Sequence, residues 1–395
     1  MNDYFMNTYH RLPAVFTEGK GCRLTDVDGK RYLDFTAGIA VNCLGHGHPA
    51  LVQAIAEQAA KLVHVSNYFL SDTALAFAEE LVAACSKVGM RNVFLGNSGA
   101  EANEGAVKIA RKYSLAKYGP GRHRIATLKG SFHGRTITTL AATGQDRFHQ
   151  DFGPFTEGFI YIPSGDIAAL EKALDGTVCG LLMEPVQGES GIRPLDPAYA
   201  KAAAKLCAER DVLLMYDEIQ SGVGRTGDFL GCEIFTDGKD GFKPDVVTIA
   251  KGLAGGIPVG AVLAGDKAKD VLGVSDHGST FGGNPLAAAA GRAVLSIVNQ
   301  PAFLAEIARK GEKLRAALAG WKHPLVAEIR GRGLMLGVDI GTDAWPVLEA
   351  CLSKGLMMLS AGPRTLRFLP PYVITDAEID EGLSILKSVL DSVKK

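Results

Sequence analysis

The chain lacks the marks of several large protein classes. Its 395 residues carry a net charge of −1, with acids and bases mixed along the whole length. No basic stripe or tail stands out, so a nucleic-acid or anionic-membrane surface has no support. Seven cysteines (Cys22, Cys43, Cys85, Cys179, Cys207, Cys232 and Cys351) are scattered, and no CxxC pair occurs. That spacing argues against a disulfide framework and a zinc ribbon, and it fits a reducing cytoplasm. No N-terminal apolar run of signal-peptide type is present, and the apolar stretches fall short of a membrane span. There is no GK[ST] phosphate loop and no GxSxG elbow. The run Gly222–Gly227 (GVGRTG) does not join a strand to a helix, so it is not a dinucleotide fingerprint. No internal repeat and no Pro- or Ser-rich linker appears.

What is present is a large folding chain. Hydrophobic residues make up 47% and charged residues 22%, enough to bury a substantial core. The length suits two domains, or one large and one small. Asp28-Gly29 sits between two short alternating runs, a hairpin signal. Amphipathic helices are expected over 51–63 and 73–84. From about Arg91 the pattern becomes strand, loop, helix, repeated. Strands are expected at 93–95, 124–128, 178–183, 212–216, 246–249 and 259–264. Helices are expected over 100–117, 167–174 and 197–210. Alternation of this kind predicts an α/β fold, a mostly parallel sheet flanked by helices. From about Asn284 come two long helices, then strand-like runs and a last helix from Asp376, a smaller α+β domain. The boundaries read from this are an N-terminal segment 1–50 contributing to the small domain, a large domain 51–284 and a C-terminal small domain 285–395.

In a parallel sheet, ligands bind beyond the carboxyl ends of the strands. Five polar features fall at such ends. Lys251 follows the apolar run Val246–Ile249 and precedes a glycine-rich turn. A lysine so placed is either a surface residue or an amine set up for a Schiff base. Ser98 and Gly99 lie between a strand and a long helix, where free N–H groups and the helix dipole suit a phosphate; Ser98 is equally an ordinary N-cap. Asp217 ends the run Val212–Tyr216, where an acid needs a cationic partner; a loop cap, or a metal ligand with Glu218, is the other reading. Phe132 and Arg135 in SFHGRT offer an aromatic face and a guanidinium for a carboxylate, or a core phenylalanine and a surface arginine. Glu184 is a second acid after a buried strand. His46 and His48 in GHGHP have no third ligand nearby, so a turn role is preferred to a metal, and no metal is expected. Lysine, buried acid, phosphate cradle, aromatic plate and arginine together match the needs of pyridoxal phosphate.

Longer stretches carry a resemblance. They include LGNSGAEANEGAVK, SFHGRT, MEPVQGESGI, LLMYDEIQSGVGRTG, PDVVTIAKGLAGGIPVGA, HGSTFGGNPLAAAA and LRFLPP. With these the chain resembles the class III (subgroup II) aminotransferases of the fold type I pyridoxal-phosphate family, nearest to the acetylornithine aminotransferases. The resemblance runs almost end to end. It implies that Lys251 forms the Schiff base, Asp217 pairs with the ring nitrogen and Gln220 lies near the ring hydroxyl. It also implies that Ser98, Gly99 and Thr280 hold the phosphate and Phe132 stacks on the ring. For substrate it implies Arg135, Ser279 and a Glu189–Arg367 switch, with Ser279 and Thr280 given across a homodimer interface. The implied reaction moves the terminal amine of N2-acetyl-L-ornithine to 2-oxoglutarate, giving N-acetyl-L-glutamate 5-semialdehyde and L-glutamate, a cytoplasmic step of arginine biosynthesis. Succinylornithine, N-succinyl-diaminopimelate, ornithine and 4-aminobutyrate remain as alternative donors. Acyl discrimination is expected from residues outside the motifs, around Val41–Cys43 and Asn67–Tyr68.

Overall fold

The computed structural model describes residues 4–236 and 241–393. The expected domain limits also take in residues 1–3, 237–240 and 394–395, which lie outside the described residues.

The centre is a seven-stranded sheet. Its order is Met90–Gly96, Gly260–Gly265, Val246–Ile249, Leu213–Asp217, Val178–Met183, Arg124–Leu128 and Phe159–Ile162. Four of these strands are buried at every residue. That is why they read as continuous apolar runs rather than as alternation. All neighbours pair in parallel except Gly260–Gly265, which is antiparallel on both sides. The edge strand Phe159–Ile162 is an addition to the expected set.

Helices form where capping and composition favour them. Ser98 caps the 20-residue helix Gly99–Tyr118, accepting from the Glu101 N–H, and Asp196 caps Pro197–Arg210 by accepting from the Tyr199 N–H. The helix expected over 51–63 starts at Pro49 and ends at Ala59. Beyond it the Lys61 and Leu62 N–H groups both turn back onto the Gln58 carbonyl, which closes the helix early.

Three further sheets lie outside the large one among the described residues, the smallest being the pair Val186–Gln187 and Arg193–Pro194. The hairpin Arg23–Asp26 and Arg31–Asp34 turns at Gly29, whose φ of 80° lies in the left-handed region that favours glycine. Its second strand pairs in parallel with Leu356–Met357, far away in sequence. An antiparallel sheet of Glu328–Arg332, Met335–Asp339, Thr365–Phe368 and Leu359–Ser360 carries Arg367. One apolar cluster runs through all of this, from Leu33 and Phe35 through Leu181 and Ile249 to Leu336, Phe368 and Leu386.

Candidate active site

The parallel strands end on one edge of the large sheet, and their last residues open into a cavity of about 350 Å³. Its lining includes Ser98, Gly99, Phe132, Glu184, Glu189, Asp217, Gln220 and Lys251. The strand order of the sheet therefore gathers residues that are scattered along the chain.

Lys251 starts a single tight turn, Lys251–Ala254, with φ of 45°, and Gly255 ends it in the left-handed region. The turn takes the chain sharply away from the strand. Burial lowers the Lys251 pKa, and the charges of Glu189 and Asp217 oppose that fall. A lowered ammonium pKa leaves more neutral amine near neutral pH.

Asp217 ends its strand almost fully buried and accepts three hydrogen bonds. Oδ2 receives Asn103 Nδ2 at 2.8 Å and His133 Nδ1 at 2.7 Å, and Oδ1 receives the Ile219 N–H at 3.0 Å. Asn103 is held in turn by Thr248 Oγ1 at 2.7 Å, and it also donates to the His133 carbonyl. The carboxylate is thus fixed from a helix, a loop and a neighbouring strand. Asn103 and His133 were absent from the residues expected at the site. The available signal was one amide on an Ala/Gly/Val helix face, and one histidine inside SFHGRT.

Glu184 bridges two loops. Oε1 accepts the Phe132 N–H at 2.9 Å and Oε2 the Gly188 N–H at 3.1 Å. Burial raises its pKa to about 7, with His133 opposing and Asp217 adding to the rise. Glu189 Oε1 meets Arg367 Nη1 at 2.5 Å and also receives Gln220 Nε2 at 3.1 Å. Burial would raise Glu189; the Arg367 guanidinium and Lys251 outweigh it and lower its pKa. Glu218 points away from the cavity. Its carboxylate receives Ser221 Oγ, Gly231 N and Cys232 N and ties down the following loop.

Four expected residues stand off the cavity: Arg367 lies behind Glu189 and Gln220, which it meets, and Arg135, Ser279 and Thr280 lie at its edge or beyond. The Arg135 guanidinium is exposed and packs 4.3 Å from the Phe148 ring centroid and 5.6 Å from that of Phe132. Ser279 receives Asn97 Nδ2 at 3.0 Å, beside the start of the Ser98 helix, and Thr280 is exposed. Of the stretches expected to discriminate acyl groups, Val41 lines the cavity and Tyr68 is exposed. His46 hydrogen-bonds Asp34, the last residue of the strand Arg31–Asp34, at 2.9 Å.

The sequence profile of class-III aminotransferases matches residues 4–390. The chain belongs to the class-III aminotransferase family. It is 48% identical to the acetylornithine aminotransferase of Caldanaerobacter subterraneus subsp. tengcongensis, over 99% of this chain and 98% of that one. It is 44% identical to the succinylornithine transaminase/acetylornithine aminotransferase of Pseudomonas aeruginosa, over 96% and 93%. Among solved structures, N-acetylornithine aminotransferase from Stenotrophomonas maltophilia superposes with a TM-score of 0.84 at 39% identity, covering 97% of each chain. The fold is that of the fold type I transferases.

The cavity of this class-III aminotransferase fits a phosphorylated pyridine aldehyde. A Cβ on Gly99 would come within 2.7 Å of Ile219, and one on Gly260 would come 2.0 Å from the Ser98 carbonyl. Only glycine lets the backbone close around a ligand this tightly. The start of a long helix faces one end of the cavity, and its first N–H groups are free to meet a phosphate. An aromatic ring, a fixed carboxylate and a lysine complete the donor set.

Proposed function

We propose that this aminotransferase uses pyridoxal phosphate to move the terminal amine of N2-acetyl-L-ornithine to 2-oxoglutarate. The products are N-acetyl-L-glutamate 5-semialdehyde and L-glutamate. The observation that carries the reading is the Glu189–Arg367 pair, whose two charges both act on Lys251. A pocket that takes a monocarboxylate donor and a dicarboxylate acceptor needs a cation it can mask and unmask, and that pair supplies one.

Ser98 and Gly99 would hold the phosphate, Phe132 would lie on the ring face, Gln220 near the hydroxyl and Asp217 at the ring nitrogen. When bound, the cofactor supplies a carbonyl that takes the amine and a ring that absorbs electrons as the substrate carbon loses its proton. Lys251, with its pKa lowered by burial, takes that proton and returns it to the other side of the exchange. Asn103 and His133 keep the Asp217 carboxylate aimed by donating to it. Glu189 covers Arg367 while the acylated ornithine is bound, with its carboxylate on Arg135. When the oxo-acid enters, Glu189 swings aside and Arg367 grips the second carboxylate.

A homodimer completes the proposed site. Thr280 is exposed and does not line the cavity of its own chain, and Tyr68, Phe69 and Phe281 expose 95%, 73% and 61% of their surface. An apolar patch of this kind is covered by a partner in most folds, here a second copy. All seven cysteines are free thiols, which supports a cytoplasmic location. Among the described residues no helix is long and apolar enough to cross a membrane.

The test is single-turnover absorption with a panel of acylated and free ω-amino acids. N2-acetylornithine should discharge the visible band fastest, and 2-oxoglutarate should restore it. Borohydride should bleach the protein and tag Lys251. A colourless protein, or faster discharge by free ornithine or 4-aminobutyrate, would overturn the assignment.

A further inference from the structure

Arg225 is the largest side chain that is fully buried. It lies in the loop that follows Asp217 and Gln220, five positions beyond Gln220. No ion pair joins it to an acid among the described residues. Its Nη1 donates to two carbonyls, Leu334 at 3.0 Å and Pro370 at 2.7 Å. Carbonyls satisfy N–H groups without neutralising the charge. Nε and Nη2 have no protein partner. An uncompensated buried cation is an expensive way to hold a fold together, which asks for a reason beyond packing.

The two carbonyls identify the reason. Strand Met335–Asp339 pairs antiparallel with Thr365–Phe368, with Leu336 opposite Phe368 and Gly337 opposite Arg367. Leu334 and Pro370 each lie two residues beyond the Leu336–Phe368 pair, one on each strand. Proline has no N–H, so the ladder cannot continue there. Arg225 takes over and joins both strands at that end. The contact is reciprocal: the Leu334 N–H donates to the Arg225 carbonyl at 3.0 Å. The guanidinium lies 4.3 Å from the centroid of Tyr372, and the Tyr372 hydroxyl donates to the Val223 carbonyl at 2.7 Å. Gly333 presses so closely on Thr226 that a Cβ would come 2.5 Å from its carbonyl carbon.

The same loop therefore does two things. Its first end carries Gln220, which touches both Glu189 and Arg367. Its second end grips the two strands that set where Arg367 stands. We infer that Arg225 is a positioning residue for the oxo-acid half of the reaction: by clamping the Leu334 and Pro370 carbonyls it holds Arg367 at reach of the second carboxylate of a dicarboxylate. The inference rests on the proposed two-carboxylate division of the pocket.

The holoenzyme tests it with Arg225→Lys, which keeps the charge but cannot span both carbonyls while lying on Tyr372. Binding of glutarate, a dicarboxylate that cannot react, is measured by calorimetry. The two half-reactions are measured separately in single turnovers. Glutarate affinity and the glutamate half-reaction should each fall by about tenfold or more. The N2-acetylornithine half-reaction and the cofactor absorption band should stay within about twofold. Equal losses in both halves, or unchanged glutarate affinity, would overturn the role. If Arg225→Lys does not fold, Tyr372→Phe is read the same way; it removes only the hydroxyl contact to Val223, and the same one-sided loss, smaller in size, is required. Should the unaltered enzyme bind glutarate yet fail to use N2-acetylornithine, the donor assignment falls while the glutarate comparison still decides the role of Arg225.

Discussion

Replacing Glu189 with glutamine should convert a guarded pocket into one open to dicarboxylates. Arg367 is almost fully buried, while the Glu189 side chain keeps 24% of its exposure. Removing one partner of a buried pair costs about 3–5 kcal/mol. The partial exposure of Glu189 places this pair at the low end, at about 3 kcal/mol. In the unaltered enzyme a dicarboxylate must displace Glu189 before it can pair with Arg367. In Glu189→Gln that step is absent, and the ligand carboxylate neutralises a cation that has no other anion. The ratio of the glutamate to the N2-acetylornithine single-turnover rate constants should therefore rise by roughly a hundredfold. A second readout follows from Lys251. Burial lowers its pKa and the Glu189 charge opposes that fall most strongly. Without Glu189 the Lys251 ammonium loses its proton more readily, so the acid limb of the pH–rate profile should move to lower pH. The assay is stopped-flow absorption with each amino acid across a pH series. A ratio changed by less than about threefold, or an acid limb that moves up, would refute the switch.

Four other outcomes follow from the site. Gly260→Ala would set a Cβ 2.0 Å from the Ser98 carbonyl, so the apoenzyme should bind pyridoxal phosphate at least about tenfold more weakly in a fluorescence titration; unchanged affinity would show that the helix start does not hold the phosphate. Asp217→Asn should keep the far-ultraviolet dichroism but lose more than about a hundredfold in transamination, since His133 and Asn103 then face an amide; near-normal turnover would refute its role. Arg135→Ala should raise the KM for N2-acetylornithine far more than that for 2-oxoglutarate, and equal changes would undo the division between the two arginines. For Glu184, burial raises the pKa from 4.5 to about 7. The folded protein then holds the proton more tightly than the unfolded chain, so this group's stabilisation is complete below 4.5 and lost as pH rises through about 7. The stability gap between the unaltered protein and Glu184→Gln should shift by about 3 kcal/mol across that window in urea titrations, in favour of the variant at high pH; a constant gap would count against the buried acid.

The large sheet was readable because its strands are buried on both faces. Runs such as Val246–Ile249 and Leu213–Asp217 carry no alternation to confuse with a surface strand. Two features escaped. Phe159–Ile162 is a four-residue edge strand whose only partner among the described residues is Arg124–Leu128, more than 30 positions earlier. The direction of Gly260–Gly265 was also left open, although ten residues separate it from Val246–Ile249. A parallel crossover needs a dozen or more residues, so the short connection already demanded an antiparallel return.

The site divides along the same line. Lys251 and Asp217 could be read from the chain because each is a single charged residue at the end of an apolar run. Glu184 was legible on the same ground, after the strand Val178–Met183; Asn103 and His133 were not, because their partners are fixed by strand order rather than by sequence distance. Asn103 and Asp217 are 114 positions apart and meet at 2.8 Å because the helix Gly99–Tyr118 crosses the strands that end at Asp217 and Ile249. Arg225 is the extreme case. In sequence it is one arginine in a glycine-rich loop, where exposure is the ordinary expectation. Its burial follows from Gly224 and Gly227, which press onto the helices Pro285–Val298 and Pro301–Gly320, and from Gly333, which presses onto Arg225 and Thr226 at a spacing that side chains would block. The residues that do the chemistry are announced by local pattern, and the residues that aim them are set by packing between distant segments. The consequence for this enzyme is specific: exchanges at Asn103, His133 or Arg225 should alter rate and selectivity without touching any residue that the motifs single out as reactive.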